Sequence, residues 1–288
     1  MGWRINFYNK RSSKNLGWVP EWLDASAFDA DLERKVKQFQ RNHDLKADGM
    51  VGPTTYRRLL LWKETYREGH FPKGVLVRGE HKEFVCDRFK IDLLNSSCYR
   101  KVSYERKPKM IVTHWDVCTS ADSCKRVLEK RSISTHFVID NDGTIVQLVD
   151  TNNIAWHARG ANNHSIGIDV SNAYYTKYNS KYERMGFDPR PILTDSKVHG
   201  RKLKAHLGYY KEQISAYTDL IDYLTQLYDI PLEYPKNHDG SLCTTVYDPA
   251  VKGRFKGVIN HYNLTKNKID TAGLKLDEII SSIKEKRS

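Results

Sequence analysis

Met110-Ile111-Val112-Thr113 is a short apolar run that feeds directly into His114-Trp115, and the fold follows from how it is read. A run this short, bounded by polar segments, reads as a buried strand with a histidine at its end. Outward from it, His136-Phe137-Val138-Ile139 and Thr144-Ile145-Val146-Gln147-Leu148 flank Asp140-Asn141-Asp142-Gly143, a hairpin by its Asp-Gly turn. Ile166-Gly167-Ile168-Asp169-Val170 is a third strand, and Val258-Ile259-Asn260 is a further one that also delivers a histidine, His261. Between them Ile214, Tyr217, Leu220, Ile221, Leu224 and Leu227 recur at helical spacing. Strands mixed with long helices predict an α/β domain: a mixed central β-sheet flanked by helices.

The N-terminal part has another texture. Leu32, Val36, Phe39 and Gln40 mark one helix, with Asp29 or Asp31 as its cap. Asp48-Gly49 and Gly52-Pro53 are turn signals, after which Thr54 caps a helix from Thr55 to Trp62. These features predict a small helical module over residues 1–66. The charged, unpatterned stretch that follows, with Gly69, Pro72, Gly74 and Gly79, reads as a linker over 67–79, leaving 80–288 as the larger domain.

The whole chain of 288 residues is ample for a packed core, and 47 basic against 35 acidic residues give +12 at pH 7. No apolar run is long enough to span a membrane, and the first residues lack the apolar core of a secretory signal. Such a charge implies an anionic partner: nucleic acid, phospholipid or bacterial envelope. Neither a base-reading basic helix nor an RNA-binding aromatic signature is present, so no nucleic acid partner is expected. Five cysteines, odd in number and without a C-x-x-C pair, read as reduced thiols, although the spacer between Cys118 and Cys124 could close a small loop.

Eleven histidines must be sorted by position. His43, His70, His81, His199, His206 and His238 lie in polar loops or at helix edges and read as solvated. His114 and His261 each end an apolar strand, where a side chain is held rigidly beside a sheet edge. Asp270 follows His261 by nine residues. Two histidines and a carboxylate leave a fourth tetrahedral position for water, the arrangement of catalytic zinc. By itself such a triple arises by chance more often than by function.

Six collinear motifs add to that reading. Thr113-His114-Trp115, Ser134-Thr135-His136-Phe137-Val138-Ile139, Asp142-Gly143-Thr144-Ile145-Val146-Gln147, Ala155-Trp156-His157-Ala158, Asn163-His164-Ser165-Ile166-Gly167-Ile168-Asp169 and Asn260-His261 occur in order. Over about Pro108 to Asp270 the series resembles the zinc-dependent N-acetylmuramoyl-L-alanine amidases of the peptidoglycan-recognition type. Separately, Val36-Lys37-Gln38-Phe39-Gln40, Leu45 and Asp48-Gly49-Met50-Val51-Gly52-Pro53-Thr54-Thr55 resemble the three-helix peptidoglycan-binding module. The combination is similar to the modular phage endolysins.

The resemblance implies Zn2+ held by His114, His261 and Asp270, and Lys268 as the group that steadies the oxyanion. It implies Asp169 where some amidases place a catalytic glutamate, and His157 at the substrate groove. In the N-terminal module the expected wall contact lies beside Asp48, Gly49 and Tyr56. The segment Cys118 to Cys124 is similar to the small disulfide loop of animal recognition proteins. The implied reaction is cleavage between muramic acid and the L-alanine of the stem peptide by zinc-activated water, by a monomer acting on the bacterial wall. Without a signal, the chain is expected to be made in the host cytoplasm and to reach the wall through a separate pore. The alternative is a peptidoglycan-binding protein that does not cut.

Overall fold

The computed structural model describes residues 2–43, 45–63, 74–86 and 88–288. The chain forms two compact units, one of Met1–Phe71 with Asn179–Pro189 and one of Pro72–Tyr178 with Arg190–Ser288.

The first unit contains helices α1 (Gly2–Leu16), α2 (Ala30–Asn42) and α3 (Pro53–Trp62). Asp29 is the N-cap of α2, accepting from the backbone of Asp31 and Leu32. At α3 the structure departs from the sequence expectation. Gly52, not Thr54, is the N-cap, because Pro53 has its φ preset for the first helical position. Leu32, Val36, Phe39, Val51 and Leu59 pack around Trp18 to form the core. The segment 179–189 belongs to this unit, where Phe187 lies under the Arg57 guanidinium at 4.3 Å. Nothing in the sequence reading anticipated that excursion.

The second unit is built on a six-stranded sheet: β1 (Phe89–Ile91), β2 (Met110–Trp115), β3 (Phe137–Ile139), β4 (Ile145–Gln147), β5 (Ser165–Val170) and β6 (Gly257–Asn260). Its spatial order is β6-β2-β5-β3-β4-β1, parallel except for the β3–β4 hairpin. Gly143 closes that hairpin at φ +80°, a conformation the Asp-Gly turn requires. Along β2 successive side chains alternate between faces. Ile111 joins a core with helices α5 (Lys211–Leu227) and α6 (Leu276–Arg287), and Thr113 Oγ1 meets the Tyr217 hydroxyl of α5 at 2.6 Å. Met110 and Val112 face the other way, toward Ala158, Ala161 and Ile259. On that side α4 (Ala121–Arg131) covers Val138 and Val146 through Cys124 and Leu128. The mixed sheet flanked by helices is therefore as expected, and no described helix is long and apolar enough to cross a membrane.

Most of the expected linker lies outside the described residues. From Gly74 onward the chain is part of the second unit: Val75–Val77 pairs with Glu80–Lys82, and Val75 is buried in the core with α5.

Candidate active site

Parity along the strands decides what meets at the site. His114 shares the face of Met110 and Val112, and it pairs in register with Asp169 of β5. His261 lies one residue beyond β6, which pairs with β2. Both histidines and Asp169 thus gather at the carboxyl ends of adjacent parallel strands, where open α/β sheets place their ligands. Asp270 is brought back by a short loop: Tyr262 N–H donates to its carbonyl, and the Thr271 hydroxyl donates to Asn260 Oδ1. Asn260 also caps the turn at His261–Asn263.

His114 Nδ1 and His261 Nδ1 are 2.9 Å apart, and Asp270 Oδ2 lies 3.3 and 2.9 Å from them. The two ring nitrogens and the carboxylate oxygen form one compact triangle. One cation satisfies all three donors, and nitrogen with oxygen is the donor set that zinc takes. The residues therefore fit a zinc ion. Burial and the adjacent His261 bring the His114 pKa down to about 4, so the ring is neutral as a ligand must be. Burial would raise the Asp270 carboxyl, but the adjoining His114 and His261 rings outweigh it and hold the group below the usual carboxylate range.

With His114 Nδ1 turned to this cluster, its Nε2–H donates to His157 Nδ1 at 3.0 Å. His157 Nε2–H in turn donates to Ser165 Oγ at 3.2 Å, and Ser165 donates to the Ala161 carbonyl at 2.8 Å. A relay of this kind fixes the ring and tautomer of a ligand histidine. It needs Gly167, since a Cβ there would stand 2.7 Å from His157 Cγ. Arg106 supports the segment that carries His157, donating to the carbonyls of Thr151, Asn162 and Ser165.

An open cleft of about 410 Å3 runs over the cluster, lined among others by Trp156, Arg131, Asp169 and Lys268. Asp169 is only 8% exposed. Burial, then the charges of Asp116 and Asp270, push its carboxyl well above the usual range. Lys268 is exposed, and its carbonyl accepts from His199 Nε2 at 2.9 Å.

Elsewhere the histidine sorting needs correction. His206 is fully buried, stacked on Tyr174 at 5.2 Å, and His43 packs on Phe39 at 4.2 Å. Polar neighbours in sequence did not reveal these aromatic neighbours in space. The cysteines are free thiols. Near Cys118 and Cys124, Asp116 accepts from Cys118 N, Asn172 N and Ser171 Oγ, so its carboxylate is spent on the loop. In the first unit Asp48 Oδ1 accepts from Gln40 Nε2 and Met50 N, and Gly49 N donates to Gln40 Oε1. Tyr56 stacks on Trp22 at 6.4 Å.

Residues 104–272, more than half of the chain, match the N-acetylmuramoyl-L-alanine amidase family. The chain belongs to this family. Residues 14–59 match a peptidoglycan binding domain, so the chain joins a second module to its amidase domain. Similar solved structures include the N-acetylmuramoyl-L-alanine amidase LysC from Clostridium intestinale URNW. It shares 19% identity at a TM-score of 0.41, covering 68% of this chain and 97% of that one. The Staphylococcus aureus hydrolase AmiA shares 13% at 0.44, covering 69% and 82%. AmpDh3 from Pseudomonas aeruginosa, in complex with anhydromuramic pentapeptide, shares 18% at 0.39, covering 66% and 65%. No curated protein matches. The amidase is thus a peptidoglycan hydrolase in which His114, His261 and Asp270 form a candidate metal site.

Proposed function

We propose that the amidase is a zinc enzyme of phage origin that lyses bacteria by cutting between muramic acid and L-alanine. The observation that supports the zinc reading is the triangle of His114 Nδ1, His261 Nδ1 and Asp270 Oδ2. A zinc ion held by these three residues would supply Lewis acidity and would lower the pKa of water to about 7. The protein's own groups do the rest. The Asp169 carboxylate takes the proton of the attacking water and passes it to the leaving alanine nitrogen, a role its raised pKa and cleft position suit. The Lys268 ammonium stabilises the developing oxyanion. His157 orients His114 through the hydrogen bond to Nε2. Trp156, 38% exposed, offers an aromatic wall to the glycan side of the substrate. The N-terminal module holds the enzyme to the wall beside Asp48, Gly49 and Tyr56. The enzyme acts as a monomer after reaching the wall from the host cytoplasm through a separate pore.

The test is purification with metal analysis, expected to give about one zinc per chain. Chelation abolishes release of free muramic ends and L-alanine amino termini from sacculi, read by mass spectrometry, and zinc restores it. Full activity in exhaustively metal-free protein, or products of glycosidic cleavage, overturns the reading.

A further inference from the structure

Helix α1 is amphipathic in the inverse sense. The positions that face its own unit are Asn9 and Ser12, both buried, with Ile5 and Leu16 partly covered. Asn9 Nδ2 donates to the Gly49 carbonyl and its Oδ1 accepts from Val51 N, each within 2.9 Å. The opposite face carries Trp3, Phe7, Lys10 and Lys14, spaced four, three and four residues apart and so aligned in one strip. Trp3 is 71% exposed and Phe7 65%. The helix contains Arg4, Lys10, Arg11 and Lys14 and no acidic residue, and the first acid in the chain is Glu21. The match to the peptidoglycan binding domain begins at residue 14, so Trp3, Phe7 and Lys10 stand before the part that match describes.

We propose that this face of α1 docks on the surface of an anionic phospholipid bilayer. Large aromatic rings on a protruding helix sit at the headgroup level, while lysine and arginine stems lie along the apolar boundary with their charges at the lipid phosphates. The absence of any acidic residue makes the charge match one-sided. A sugar chain is recognised in a concave groove with aromatic floors, whereas this strip is the convex outer side of a helix. Docking in this way would hold the enzyme at the boundary between bilayer and wall.

The experiment is sedimentation of the full chain with vesicles of phosphatidylcholine alone and of phosphatidylcholine mixed with phosphatidylglycerol. Three proteins are compared: wild type, the double variant Trp3→Ser with Phe7→Ser, and the double variant Lys10→Glu with Lys14→Glu. All substituted positions are exposed, and circular dichroism confirms that each variant is folded. Wild type is expected to bind the anionic vesicles on the order of tenfold or more tighter than neutral ones, weakening with salt. Each double variant is expected to lose that binding while hydrolysing soluble muropeptides at the wild-type rate. Wild type that ignores anionic vesicles, or variants that bind them equally well, overturns the proposal. Variants that lose binding to purified sacculi but not to vesicles also overturn it, and make the strip a wall contact.

Discussion

Lys268 and Asp169 line one cleft under opposite physical conditions, the first in water and the second almost out of it. Lys268→Ala is expected to keep its zinc and lose roughly a hundredfold or more in turnover, as removal of one oxyanion donor does. Zinc analysis beside kcat checks this, and loss of metal would make Lys268 an organiser of the Asp270 loop. Asp169→Asn is expected to keep zinc and slow turnover by about 10²–10⁴, because the amide moves no proton. Unchanged turnover would leave Asp169 a structural carboxyl. His136 gives the residue-scale test of pH. Its Nδ1 accepts from Gly167 N at 2.9 Å, and burial, then the Arg106 charge, brings its pKa from 6.5 to about 3. Below pH 6.5 the unfolded chain therefore binds a proton that the folded chain refuses. The stability from neutral His136 is complete above pH 6.5 and is lost as pH falls toward 3. Urea midpoints measured across this window are expected to fall less steeply for His136→Gln than for wild type. Parallel curves would remove His136 from the account.

At the scale of elements, β5 does two jobs with one alternation. Ile166, Ile168 and Val170 enter the core with α5, while Ser165, Gly167 and Asp169 face the site. Gly167→Ala places a methyl group against the His157 ring, and a strand bonded on both sides cannot yield. Its expected effect is a ten- to hundredfold loss of zinc affinity with the fold retained, as when an outer partner of a ligand is displaced. Titration against a competing chelator measures it, and unchanged affinity would show that the relay does not orient His114. In α1 the analogous element-scale link is Asn9. Asn9→Ala removes both bonds to the 49–51 loop, at about 1 kcal/mol each with a further cost for the groups left unpaired. Thermal unfolding of the full chain should register a lowered transition for the first unit, and an unshifted one would mean the loop is held by its own turn.

For the whole molecule the question is division of labour. Because Val75 is a core residue of the second unit, a shortened enzyme has to begin at Gly74 rather than beyond the 75–82 hairpin. Such a chain, although its segment 179–189 loses the first-unit partners it packs on, is expected to hydrolyse soluble muropeptides about as fast as the whole protein, since the donor triangle, Asp169 and Lys268 all remain. On intact sacculi it should be slower, because a tethered binding module raises the local concentration of substrate. Turbidity and soluble-substrate assays on both chains decide it. Equal clearing of sacculi at every salt concentration would deny the module a targeting role.

Much of this was legible in the sequence. Short apolar runs ending on histidine placed His114 and His261 at strand ends, and the Asp-Gly turn placed the β3–β4 hairpin, because strand and turn signals are local. The fold class follows from such signals, whereas the candidate donors His114, His261 and Asp270 were proposed only through the resemblance that the ordered motifs carry. What remained hidden depends on packing between distant segments. The relay from His114 through His157 to Ser165 joins three parts of the chain, and only the sheet order brings them together. His206 lies among polar residues in the chain but against Tyr174 and Trp115 in space. The segment 179–189 belongs to the first unit though the residues on either side of it belong to the second. Helix α1 gave no periodic signal of burial, because its core-facing side is polar and its rings face water. Periodicity records which residues share a face; the burial of that face is decided by what the rest of the chain packs against it.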